Sequence, residues 1–196
     1  MSQRRIALCL TLLPLLLAGQ AQALCLDNLQ ATTPDKRFEV VKDQDGKSTG
    51  VVRDLATGLM WTQCPVGYQL DATFGLFCEA TAGETTSFDW QAALSAAEGT
   101  VQGKTGWRVP NIKELMSIVE RACYNPAINT SVFPLDNQIG RYWTSTPLET
   151  NPNGANAGYV WVVDFLAGQA LGIRYDNPNK AYLRLVRDDD TASSAP

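Results

Sequence analysis

Gly106-Trp107-Arg108-Val109-Pro110-Asn111-Ile112-Lys113-Glu114-Leu115 takes the chain from a strand into a helix within ten residues. Trp107 to Val109 is a short extended segment, and Pro110 closes it, because its ring fixes φ and removes a backbone donor. Asn111 then offers a side-chain oxygen to the first helical turn, and Glu114, three residues on, completes a capping-box pattern. Ile112, Leu115, Met116 and Val119 recur at helical spacing and form the stripe to be buried.

Upstream of this switch the pattern is mostly that of strands. Phe38-Glu39-Val40-Val41 alternates, Asp43-Gln44-Asp45-Gly46 has turn chemistry, and Thr49 to Asp54 returns. Asp43, Asp45 and Gly46 also begin like a calcium loop, but no bidentate Glu follows, so a hairpin turn is expected. Thr57-Gly58 turns again, and Leu59-Met60-Trp61-Thr62 is a third, largely buried strand. Cys64 to Thr86, rich in Gly, Thr and Ala without a sustained period, is expected to be a loop. Ser87 is the expected N-cap of a helix carrying Trp90, Ala93, Leu94 and Ala97 on one face and ending at Gly99.

Downstream, Cys123 to Gly140 holds Pro126 and Pro134 and is expected to be an irregular loop. Tyr142 to Ser145, Tyr159 to Phe165, Ala170 to Tyr175 and Tyr182 to Arg187 read as strands, with a turn at Leu166 to Gln169. Asp188 to Pro196 is small, acidic and polar, a tail expected to fray. Strands on both sides of two helices, with no internal repeat, define an α+β domain.

The first residues carry a different signal. Arg4 and Arg5 precede an apolar run from Ile6 to Leu17, and Ala21-Gln22-Ala23 has the small-x-small form of a signal-peptidase site. The run is shorter than the ~20 residues that span a bilayer. Residues 1–23 are therefore expected to be a secretory signal, 24–187 one domain and 188–196 the tail. Removal of Arg4 and Arg5 takes the net charge from −4 to −6. An acidic domain does not attract polyanions through its overall field, so nucleic acid is not an expected partner.

Cys9 leaves with the leader. Cys25, Cys64, Cys78 and Cys123 remain, an even set expected to form two disulfides in an oxidising compartment. Three pairings are open. Cys64–Cys78 is favoured because Pro65, Gly67 and Gly75 let the chain turn back between them, and Cys25–Cys123 follows by elimination. No pair has the C-x2–4-C spacing of a thiolate zinc site.

The chain contains no histidine. That removes Ser-His-Asp and Cys-His catalysis, histidine bases and His-ligated zinc. Pairing of the cysteines removes thiolate chemistry as well. No glycine-rich loop with a P-loop lysine is present. Carboxylates are the route left to an enzyme, and none is singled out. The expectation is a non-enzymatic protein without cofactor or metal. Its distinctive chemistry is aromatic and amide-rich: Tyr142, Tyr159, Arg174, Tyr175, Asn177, Asn179 and Lys180 lie on or beside the C-terminal strands and their loops. Aromatic faces beside directional donors suit a sugar or a protein surface. Half of the aromatics on any sheet point inward, and Trp143 and Trp161 are expected in the core.

Several segments form an ordered set: Asp54-Leu55-Ala56-Thr57-Gly58-Leu59-Met60-Trp61 with Cys64, Phe88-Asp89-Trp90 with Ala92 and Ala93, and Gly106 to Leu115. Tyr142-Trp143-Thr144-Ser145-Thr146, Trp161-Val162-Val163-Asp164-Phe165 and Leu183-Arg184-Leu185-Val186-Arg187 follow. Over Phe38 to Arg187 this set resembles the bacterial family of unknown function named for the C-terminal domain of the Legionella collagen-like adhesin. The resemblance implies a single C-type-lectin-like domain, related also to the formylglycine-generating enzyme, with two helices packed on short antiparallel sheets. It implies an extracellular or envelope setting and, in the namesake, binding of sulfated glycosaminoglycans by an oligomer. The chain departs from those relatives in its acidic charge and in lacking a collagen-like stretch, lectin calcium signatures and the enzyme's catalytic cysteines. Trp61, Trp90, Trp107 and Arg108 read as scaffold, the last as a satisfied internal arginine.

The function expected is an exported, adhesin-like module binding a glycan or an envelope or host surface protein. It is expected in the periplasm, on the outer surface or outside the cell, and a homo-oligomer is an allowed arrangement. The alternatives are an accessory component of a pilus or envelope assembly and, behind it, a carboxylate- or metal-dependent enzyme.

Overall fold

In a computed structural model, residues 23–73, 75–99, 104–135, 137–148, 158–176 and 180–189 are described. Residues 1–22, nearly all of the expected signal segment 1–23, therefore lie outside the described residues. In chain order the strands and helices are β1 (Leu24–Cys25), β2 (Phe38–Lys42), β3 (Ser48–Asp54), β4 (Leu59–Thr62), β5 (Tyr68–Leu70), β6 (Cys78–Ala80), α1 (Trp90–Ala96) and α2 (Ile112–Ser117). They continue with β7 (Cys123–Tyr124), β8 (Arg141–Pro147), β9 (Tyr159–Asp164), β10 (Gln169–Arg174) and β11 (Val186–Asp188). The domain is mostly β with two short helices.

Four antiparallel sheets organise these strands: β11-β4-β3-β2, β10-β9-β8, β5-β6 and β1-β7. The turns follow local chemistry. Asp43 Oδ1 accepts from the amides of Asp45 and Lys47, closing β2 onto β3. Gly58 closes β3 onto β4 with a φ of +70° and an amide that donates to the Asp54 carbonyl at 2.9 Å, a conformation only glycine adopts readily.

The core falls into two clusters, and strand alternation assigns residues to them. In β4, Trp61 enters one and Met60 the other; in β9, Val163 enters the first and Val160 and Val162 the second. Leu115, Phe133, Tyr142 and Phe165 complete the first cluster around α2, and Trp107, Trp143, Leu183 and Leu185 the second, against α1. Successive side chains of a strand point to opposite faces, so β4 and β9 each hold the two clusters together.

The helix after Pro110 forms as its sequence dictates. Asn111 accepts from the Glu114 amide at 2.9 Å and Glu114 accepts from the Asn111 amide at 2.7 Å, a complete capping box. Both disulfides also form, Cys25–Cys123 and Cys64–Cys78. Cys25 and Cys123 face each other across β1 and β7.

Several expectations are corrected. The helix near Ser87 is capped by Asp89 instead, whose carboxylate accepts from the Ala92 amide at 2.8 Å. Phe88 and Ala181 exchange two backbone hydrogen bonds, so the chain stays extended two residues longer than composition implied. α1 ends by Ala97, not Gly99, because the Ala97 and Glu98 amides tighten the last turn onto Leu94 and Ser95. The segment read as an irregular loop after Cys64 contains the β5-β6 hairpin, ordered by Asp71, whose Oδ1 accepts from the amides of Leu76 and Phe77. The strand expected at Tyr182 to Arg187 is regular only from Val186, and Asp188 closes it. Asp189 is buried and pairs with Arg53 at 2.6 Å, so the first two residues of the expected tail belong to the fold, and 190–196 lie outside the described residues.

Candidate functional site

The candidate site is built on the β9-β10 hairpin, whose two ends have different chemistry. At the turn, Gly168 adopts a φ of +68° and packs against Val119 and Ala127. At the open end, the Tyr175 amide donates to the Gly158 carbonyl at 2.9 Å. Tyr159 and Arg174 are directly opposed there, as are Trp161 and Gly172. Because alternate residues point to opposite faces, Tyr159, Trp161, Gly172 and Arg174 share one face and Tyr175 lies on the other.

Each face has its own support. On the first, the side chains of Leu148 and Tyr159 lie over Gly172, where a Cβ would stand 2.6 Å from one and 3.8 Å from the other. On the second, Tyr175 packs beside Trp90, with ring centroids 5.5 Å apart and planes tilted by 37°. Trp90 is fixed in turn by its indole N–H, which donates to the Thr144 carbonyl at 2.9 Å. Tyr175 remains 46% exposed, so its outer side is open to a partner. Arg174 bonds Asp176 through both Nε and Nη2, at 2.8 and 2.5 Å. That contact raises the guanidinium pKa and lowers that of the carboxyl.

The residues singled out in the sequence thus separate. Tyr159 is half-buried, Arg174 and Tyr175 are exposed at the hairpin end, and Lys180 is exposed where the chain returns to Ala181. Asn177 and Asn179 lie outside the described residues, as do residues 149–157. Tyr142, expected at a binding surface, is a core residue. Its hydroxyl donates to the Gln138 carbonyl at 2.9 Å and its ring packs edge-on to Phe165 at 5.1 Å. Burial raises its pKa, and its place in β8 gives it to the first core cluster. Trp143 is buried as expected, whereas Trp161 is only half-buried, because its cross-strand neighbour Gly172 has no side chain to cover it.

Trp90 is the site residue that periodicity concealed. Expected on a buried helical face, it is half-buried against the second core cluster and also touches Tyr175. As the first residue of α1, its side chain tilts back past the helix N-terminus, and that position was the available signal. Arg108 is also misassigned as internal. It is half-exposed, held by Glu114 at two distances of 2.8 Å and by Asp188 at 3.4 Å. The arginines buried inside the fold are Arg184, at 1% exposure, and Arg187, at 7%.

Other surfaces are less specific. A cleft of ~570 Å³ lies between the N-terminal segment and the chain around Cys123, lined by Leu26, Leu29, Pro34, Glu120 and Asn129 among others. One of ~320 Å³ lies beside Trp107, Leu94 and Asn111. Among the described residues no group of three or more His, Cys, Asp or Glu could hold a metal ion, and no helix is long and apolar enough to cross a membrane.

The two disulfides indicate an oxidising setting outside the cytoplasm. A search of curated proteins finds no match. The family model of the Lcl C-terminal domain matches residues 50–187, from β3 to β11, starting after β2 where the motif resemblance began with it. The motifs, the paired cysteines and this match agree, and the chain belongs to the Lcl C-terminal domain family.

Proposed function

We propose that this domain is a non-enzymatic, exported binding module with a C-type-lectin-like scaffold that takes a glycan at the open end of the β9-β10 hairpin. The observation that carries the reading is Tyr175, exposed yet held against Trp90, with the Arg174–Asp176 pair at the same end of the hairpin and Arg174 on its other face. An aromatic face stacks on the apolar side of a sugar ring, and adjacent charged donors and acceptors address its hydroxyls. The net negative charge favours neutral or cationic glycans over sulfated ones.

The test is a glycan array probed with the folded domain from residue 24 onward, with a pull-down from envelope extract beside it. Binding to a neutral glycan that falls about fivefold in Tyr175→Ala is the expected result, equivalent to the ~1 kcal/mol of an aromatic contact. Silence on the array and in the pull-down with folded protein overturns the proposal.

A second reading, as an accessory of a pilus or other envelope assembly, is favoured by a separate observation. Leu24, Leu26, Leu29, Tyr124 and Leu166 are all about half exposed. Leu24 opposes Tyr124 across β1 and β7, and the Asn125 amide donates to the Leu166 carbonyl. Crosslinking in cells that traps only monomer counts against this reading; capture of a defined partner through Tyr124 supports it.

A further inference from the structure

Arg184 is a cation inside the core without a matching anion. It is 1% exposed, and among the described residues no salt bridge reaches it. Its Nη1 donates to the carbonyls of Thr62 and Gln63. Its guanidinium lies 4.9 Å from the Phe133 ring centroid and 5.9 Å from that of Tyr142, which offsets part of the desolvation. Within ordinary hydrogen-bonding reach its Nε and Nη2 have no partner, and the polar side chain that interacts with the guanidinium is that of Tyr142.

Nε and Nη2 form the side-on edge of a guanidinium, the edge that receives two oxygens or one small anion. Two other arginines of this chain use the same edge. Arg37 holds Asp54 with it at 2.8 and 2.5 Å, and Arg174 holds Asp176 at 2.8 and 2.5 Å. At Arg184 no carboxylate stands there. A buried, unpaired charge is costly unless something compensates it.

The chemistry of the remaining orphan atoms narrows the guest. Among the described residues, three buried side-chain atoms lack a partner: Arg184 Nε, Arg184 Nη2 and Trp61 Nε1. All three are donors. Trp61 belongs to the core cluster that also contains Phe133 and Tyr142, the two rings flanking Arg184. A water molecule would bring hydrogens that themselves need acceptors, whereas an acceptor-only species matches a donor-only site and supplies the missing charge. A monatomic anion is the smallest such species and displaces least of what surrounds a residue only 1% exposed.

We propose that the Nε/Nη2 edge of Arg184 is an internal binding site for one halide-sized anion, chloride in the protein's natural setting. Such an ion is an integral part of the fold. It neutralises the guanidinium and ties the end of the C-terminal strand segment to the first core cluster. This role is independent of any ligand at the β9-β10 hairpin.

Two measurements on the disulfide-intact domain test it. Crystals soaked in sodium bromide are expected to show an anomalous peak within hydrogen-bonding reach of Arg184 Nε and Nη2. Unfolding in sodium chloride is compared with sodium gluconate, whose anion is too large to enter, at equal ionic strength. Above the site's dissociation constant, each tenfold rise in chloride is expected to raise the folding equilibrium constant about tenfold. Arg184→Lys, which keeps the charge but loses the fork, is expected to remove that dependence. Should Arg184→Lys fail to fold, the two wild-type measurements decide alone. Equal midpoints in both salts, or bromide bound only elsewhere, overturn the proposal and leave water as the guest.

Discussion

Asp54→Asn probes the most heavily bonded carboxylate of the central sheet. Asp54 is wholly buried, and its oxygens accept from Arg37 Nε and Nη2, from the Ala56 amide at 3.0 Å and from Thr57 Oγ1 at 2.8 Å. Burial alone would raise its pKa, but the hydrogen bonds from Arg37, Thr57 and Ala56 together bring it below the ordinary 3.8. Removing one partner of a buried pair typically costs about 3–5 kcal/mol. Arg37 is 15% exposed on its side chain and keeps the Ser117 carbonyl at 3.0 Å, so the lower end applies, about 3 kcal/mol. For a domain of this size that corresponds to a drop of ~6–12 °C in Tm. The pH dependence has a defined sign. With the folded pKa below the unfolded one, the stabilisation is complete above the unfolded value and is lost as pH falls through the folded one. Urea unfolding with the disulfides intact, at pH 7 and again below pH 4, measures both effects. A loss under ~1 kcal/mol at pH 7, the level of a surface pair, would refute the reasoning. So would an unchanged acid slope in the variant.

Three further outcomes are expected. Glu120 accepts from the amides and hydroxyls of Thr32 and Thr33 and from the Ala122 amide; Glu120→Gln should lose ~2 kcal/mol and speed hydrogen exchange at Thr32 and Thr33, and unchanged exchange there would contradict the clamp. Mild reduction followed by alkylation and mass spectrometry should label Cys25 and Cys123 before Cys64 and Cys78, since Cys25 is exposed whereas Cys78 is buried; the reverse order would argue against this burial. Gly67→Ala should destabilise far more than Gly58→Ala. Both have positive φ, worth about 1–2 kcal/mol for a non-glycine residue, but a Cβ at Gly67 would stand 2.3 Å from the Thr85 carbonyl oxygen while Gly58 faces open space; equal melting shifts would refute the steric argument.

Local rules reached the elements whose cause is local. Asn111 and Glu114 announce their helix, Leu59 to Thr62 is the strand as read, and the even cysteine count implies both bridges. What the sequence left hidden depends on contacts distant along the chain. Ser87 lost its cap to Asp89 because Phe88 pairs with Ala181, and the β5-β6 hairpin is organised by the single carboxylate of Asp71. At the candidate site, composition located the C-terminal strands, but strand parity and distant partners decided which side chains meet there. Tyr142 went to the core, Tyr159 and Arg174 to one face and Tyr175 to the other, where Trp90 arrived from a helix far upstream. Local pattern therefore determined many of the elements, and composition the absence of histidine. Only packing decided which rings stay exposed and which arginines are enclosed, because burial is a property of pairs of residues that the linear order does not place side by side.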